Sequence, residues 1–233
     1  MSAPLTLLGG AAIGLAAGCV LVPFTRRELA ASVARSSASP SGTAAPVVVD
    51  AAPPRVTRAQ WVALAAASGL LPAYVLYRAG WSLNALPPLV LLIGLIQLAY
   101  CDLVRRLLPK TLVHVLSAAV IASGLFVAAV MGEWHHLLVA SVCASAFFAL
   151  LFVINLMNPR WMAFGDVRLS LAVGFGLAWV SPIALLQGFV VANILVAVIG
   201  LVLIAAHKAE RRSAVPFGLY LALGAALVLL TSS

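Results

Sequence analysis

Apolar runs close to bilayer length fill most of this chain, and they decide what it can fold into. About 20 consecutive apolar residues cross a bilayer as a helix. Such runs extend from Leu5 to Phe24, Gln60 to Tyr77, Leu83 to Cys101, Thr111 to Met131 and His135 to Met157. Three more follow, from Asp166 to Val180, Pro182 to Ala206 and Ala214 to Leu230. The sequence therefore predicts an all-α polytopic membrane protein of about eight transmembrane helices, a single integral membrane domain over residues 1–233. At 64% hydrophobic and 9% charged residues, the chain cannot build the water-facing surface of a soluble domain, which carries about 25% charge. The sixth run is short for a crossing. Trp179, Ser181 and Pro182 predict a turn after it, with Pro182 opening the next helix, where a missing N–H costs nothing.

Charge supplies the orientation. Lys and Arg outnumber acids 14 to 6, a balance that can signal nucleic acid. Here the basic residues fall in alternate loops instead. Arg26, Arg27, Arg35, Arg55 and Arg58 follow the first run; Arg105, Arg106 and Lys110 follow the third. Arg160 and Arg168 follow the fifth, and Lys208, Arg211 and Arg212 the seventh, leaving Arg78 alone on the other side. The positive-inside rule then puts these four loops in the cytoplasm and both termini outside. No nucleic-acid partner is implied. Residues 25–59, rich in Ala, Ser, Pro and Thr, read as a flexible cytoplasmic loop. The run from Leu5 to Val22 lacks a basic residue before it and reads as a retained anchor. A bacterial inner membrane is the simplest location.

Most polar residues within the runs have ordinary explanations. Cys19, Cys101 and Cys143 show no C-x-x-C spacing and read as packing residues, so no metal site is expected from them. His135 and His136 beside Glu133 read as an interfacial turn, and His114 as a hydrogen-bonded helix residue. Trp61, Trp81, Trp134, Trp161 and Trp179 sit near run boundaries, as in an interfacial aromatic belt. Asn155 and Asn193 suit interhelical hydrogen bonding.

The aspartates stand apart. Only three occur, and Asp102 and Asp166 interrupt apolar runs. An ionisable group at bilayer depth is a functional-site hypothesis by default. On the topology above, Asp102 ends the third run and Asp166 starts the sixth, so both reach the cytoplasmic face. Each could simply pair with a neighbouring arginine. Two features weigh against that: Gly165 permits close backbone approach to Asp166, and Val215-Pro216-Phe217-Gly218 places an irregular segment on the same face.

Asp102 with Leu108-Pro109, then Gly165-Asp166-Val167-Arg168-Leu169, then Val215-Pro216-Phe217-Gly218 resemble the three signatures of the prepilin peptidases, the type IV leader peptidase family of membrane aspartyl proteases. The resemblance covers residues 99–233 and lies in the ordered set. Ala163, Lys110 and Arg168 depart from the family's usual Gly, Asn and Lys, and none of these changes removes an acid. The resemblance implies an endopeptidase with catalytic Asp102 and Asp166 and supporting Gly165, Pro216, Phe217 and Gly218. Its implied substrates are type IV prepilin or pseudopilin precursors, embedded in membrane lipid, cut without cofactor or metal. Bifunctional members carry a cysteine-rich cytoplasmic insert, associated with zinc and N-methylation. The segment Arg26–Arg58 has no cysteine, so methyltransferase activity is not expected.

Two carboxylates sharing a site do not both ionise cheaply, so one acts as base toward water while the other carries a proton. Helix-end dipoles favour charge on Asp166 and disfavour it on Asp102. A proton-coupled transporter also uses intramembrane acids, and a structural pilus or secretion assembly component would need neither aspartate. The topology has a direct check. Single cysteines at Arg35, Arg106, Arg160 and Arg211, in a cysteine-free background, are expected to resist an impermeant thiol reagent on intact cells. Cysteines at Arg78 and Glu133 are expected to react, and labelling at Arg106 or Arg160 would remove the acids from the cytoplasmic face.

Overall fold

The sixth run turns out to be the axis of the molecule. A computed structural model describes residues 68–77, 80, 82–105, 110–158, 164–205 and 217–231. These form seven helices: α1 (Ser68–Tyr77), α2 (Leu86–Arg105), α3 (Lys110–Met131), α4 (Trp134–Met157), α5 (Phe164–Val180), α6 (Pro182–Ala205) and α7 (Phe217–Thr231). A 3-10 turn, Leu83–Ala85, leads into α2. No strand occurs among the described residues. The first expected span, the loop 25–59 and the start of the second span lie outside them. Elsewhere helix ends agree with the apolar runs to within about a turn.

Local chemistry sets the visible ends. Gly132, at φ 77°, follows α3 in the left-handed region that a side chain disfavours. Its N–H donates to the Ala128 carbonyl at 2.9 Å. In the turn between α5 and α6, the Ser181 hydroxyl accepts the Ala184 N–H at 3.0 Å and caps α6. Pro182 is its first residue, as the sequence predicts.

Among the described residues three helices are long and apolar enough to cross a bilayer: Thr111–Met131, Trp134–Met157 and Pro182–Val202. The last two bury little of themselves in the protein, leaving Leu138, Val142, Leu150, Ile183, Val190 and Leu201 exposed. In lipid such faces carry no hydrophobic penalty. By contrast α5 packs against α2, α3, α4, α6 and α7. Twelve of its 17 residues are buried, so it can be short and still sit inside the bundle.

Small residues make that crowding possible. A Cβ built on Gly174 would lie 3.0 Å from the Ala144 Cα of α4. One built on Gly224 of α7 would lie 2.6 Å from the Gly188 carbonyl oxygen and 2.9 Å from the Ala192 nitrogen of α6. Those are backbone atoms and cannot rotate away. Gly224→Ala is expected to lower stability by about 1–3 kcal/mol, seen as a fall in the thermal midpoint of detergent-solubilised protein. Gly200→Ala, with nothing within 4 Å, should change it by under ~0.5 kcal/mol.

Candidate active site

Asp166 owes its environment to its helix. It is the acidic residue in the first turn of α5, where free N–H groups and the helix dipole favour a carboxylate. It is only 3% exposed, and burying a charge is costly without polar compensation. The start of α5 is held against α4: Phe164 packs edge-on to Phe152 with centroids 6.4 Å apart. The Arg168 guanidinium lies over the Phe164 ring at 4.6 Å. One turn on, the buried Ser170 hydroxyl donates to the Val167 carbonyl at 2.6 Å, so its polarity is spent within the helix.

The relation of α5 to α2 can be read from two contacts. At the end of α5 the Trp179 Nε1–H donates to the Asn84 carbonyl, just before α2, at 3.2 Å. A Cβ built on Gly176 would meet Leu91 Cδ2 at 2.6 Å. The helices therefore run antiparallel in contact. From Leu91, positions 95, 98 and 102 continue one stripe of α2; from Gly176, positions 172, 169 and 165 continue the facing stripe of α5. Asp102 is eleven residues from Leu91 and Asp166 ten from Gly176, which at 1.5 Å per residue is about 16 and about 15 Å. The two backbones thus reach the same height at the same end. Gly165 is the α5 stripe position level with Asp102.

The remaining expected residues are only partly described. Asp102 belongs to the last turn of α2, and its side chain lies outside the described residues. Pro216 lies outside them too, as does the side chain of Phe217, the residue that opens α7. Gly218 is buried in the first turn of α7, a helix packed against α2, α5 and α6.

Two expectations need correction. Trp179 does not join an interfacial belt: it is 3% exposed and stacks on Phe175 at 5.9 Å. With its N–H satisfied by Asn84, the ring is free to leave the interface for the core. Among the described residues Asn193 makes no interhelical bond; its Nδ2 donates to the Phe189 carbonyl one turn back, at 2.7 Å, on an exposed face. Trp134 is exposed at the start of α4, in keeping with an interfacial position. Trp61, Trp81 and Trp161 lie outside the described residues. His114 is exposed. His136 lies 3.8 Å from the Glu133 carboxylate and 3.5 Å from the Trp179 carbonyl, a polar turn at the end opposite the aspartates. Among the described residues no three His, Cys, Asp or Glu are grouped to hold a metal.

Comparison with known proteins bears on this constellation. The family model described as the type IV leader peptidase family matches residues 89–230. A prepilin leader peptidase/N-methyltransferase of Stutzerimonas stutzeri is 32% identical over 169 residues, 70% of this chain. The match spans 56% of that relative's length. No solved structure matches the chain.

The α2–α5 register can be tested by oxidation of paired cysteines. Leu95→Cys with Ala172→Cys, one turn from the Leu91–Gly176 contact, is expected to form a disulfide in membranes treated with copper phenanthroline. Leu98→Cys with Gly176→Cys, offset by about 10 Å along the axes, should not. The reverse result would shift the two aspartates off a common height.

Proposed function

Because the chain belongs to the type IV leader peptidase family, we propose that it is a membrane aspartyl endopeptidase cleaving prepilin-like precursors. The leader is cut at the cytoplasmic face by Asp102 and Asp166. One observation carries the reading: Asp166 is buried in the first turn of the central helix, which contacts the helix that carries Asp102. Gly165, next to Asp166, permits close approach of a substrate backbone.

The chemistry needs only these groups. Asp166, at a helix N-terminus, is the ionised partner that takes a proton from water. Asp102, at a helix C-terminus, carries the shared proton, hydrogen-bonds the scissile carbonyl and then helps protonate the leaving amine. Burial strengthens each of these interactions by excluding solvent. Pro216, Phe217 and Gly218 support the site, Gly218 from the first turn of α7. The eight-span topology with both termini outside puts the acids where a basic leader lies, in a bacterial inner membrane. A transporter or purely structural role has no observation in its favour.

The name of the Stutzerimonas relative joins peptidase to N-methyltransferase. In this chain residues 26–58 contain no cysteine, which supports peptidase activity without methyl transfer. The cleaved pilin is therefore expected to carry a free amino terminus by mass spectrometry, and the purified protein no stoichiometric zinc. Methyl transfer by this chain alone would contradict that assignment.

Co-expression with candidate prepilins, read by the mobility of the pilin, tests the reaction itself. Asp102→Asn and Asp166→Asn should each lower cleavage by at least ~100-fold, with membrane insertion and abundance unchanged. Near-normal cleavage by either variant would refute the aspartyl mechanism.

A further inference from the structure

A second polar residue is buried in the bundle, on α2. Gln97 of α2 is 1% exposed, and both Oε1 and Nε2 lack a hydrogen-bond partner among the described residues. It lies at a groove between α2 and α3 with about 160 Å³ of free space. Val90, Ile93, Val115 and Ala119 line the same groove, which is otherwise apolar. Val115 and Ala119 on the α3 rim are exposed, so the groove opens to the outside of the bundle.

An unpaired amide at this depth costs free energy in the resting protein, because hydrocarbon supplies neither donor nor acceptor. Water does not answer the need, since an ordered water wants two or more polar partners and the walls offer none besides Gln97. Lipid does not either. Gln97 is eight residues, about 12 Å, from Arg105 at the basic end of α2. Headgroups stay at the interface and acyl chains cannot hydrogen-bond. The occupant must bring both a donor and an acceptor into the membrane, as a peptide group or a polar side chain does.

We infer that this groove docks the hydrophobic helix of the substrate, with Gln97 hydrogen-bonding a polar side chain that the helix carries. The inference rests on the peptidase reading, which supplies a substrate with a membrane-embedded segment. Position favours this occupant. Gln97 is five residues from Asp102 on the same helix, about 7.5 Å deeper. A precursor entering from the bilayer with its scissile bond at the height of the acids therefore has its following segment at the height of Gln97. The free space suits a few side chains of a helix lying along the groove. Gln97 is thus a substrate-binding residue outside the catalytic pair, and its unsatisfied state is relieved only in the complex.

That assignment makes stability and affinity move in opposite directions. Gln97→Leu removes the unpaired amide, so the thermal midpoint in detergent should stay the same or rise. At the same time KM for a cleavable prepilin should rise roughly tenfold with kcat within about twofold, the size expected for a lost hydrogen bond in a membrane. A lower midpoint with unchanged KM would show that Gln97 serves internal packing and would overturn the proposal.

The occupant is identified by placing p-benzoylphenylalanine at Ala119 on the groove rim, in the Asp166→Asn chain that holds precursor uncut. Illumination should yield an adduct of chain and prepilin. Adducts only with lipid, with residues 1–67 of the same chain or with a second copy would overturn the groove assignment. The wild-type chain is assayed on the same precursor. Cleavage without cross-linking refutes the groove alone, whereas absence of cleavage refutes the peptidase reading and this inference with it.

Discussion

The burial of α5 among five other helices is the constraint on which the rest of the structure depends. Twelve of its 17 residues are buried, and its partly exposed stripe, Phe164, Arg168 and Leu171, excludes Asp166. Asp166 is therefore buried because its helix is, and its position in the first turn gives it the only favourable backbone field such a helix offers. The same crowding selects Gly174 and Gly176, where a Cβ would collide with α4 and α2. The contact of Gly176 with Leu91 sets the register between α5 and α2, the helices that carry Asp166 and Asp102.

Polar groups inside this bundle are handled in three ways. Ser117, Ser170 and Asn193 bond to carbonyls of their own helices and so add no demand on neighbours. Trp179 reaches across to Asn84 and locks the end of α5 opposite the acids. Gln97 is left unsatisfied. In a medium that gives no hydrogen bonds back, the first two kinds stabilise or are neutral, while the third costs free energy unless a partner arrives.

Much of the fold was legible in the sequence because hydropathy alone sets helix length in a bilayer. Pro182 marks a helix start that the structure reproduces. What pairs with what was not legible, because runs such as Trp134–Met157 and Pro182–Ala205 are apolar on every side and carry no facial signal. The central place of α5 had a cue in its short length and its Gly165, Gly174 and Gly176, since only a shielded helix can be short. Trp179 misled because position near a span end does not say whether a ring faces lipid or core. Gln97 offers the cue that singles out Asn155 and Asn193, a polar residue within an apolar run, yet only its surroundings distinguish it from a self-satisfied Asn193. Of the candidate site, the sequence singles out the residues, whereas the contact between α2 and α5 that bears on their relative height had no sequence cue.

The convergence of those two acids is the claim everything functional depends on, and their separation can be measured directly. With Cys19, Cys101 and Cys143 replaced, Asp102→Cys and Asp166→Cys are introduced together and treated with a short bifunctional thiol reagent reaching just beyond the ~7 Å limit of a disulfide. Bridging within one chain, read as an intramolecular mass adduct, is the expected result. If each thiol reacts singly and no bridge forms, the aspartates do not share a site and the paired-carboxylate account is wrong.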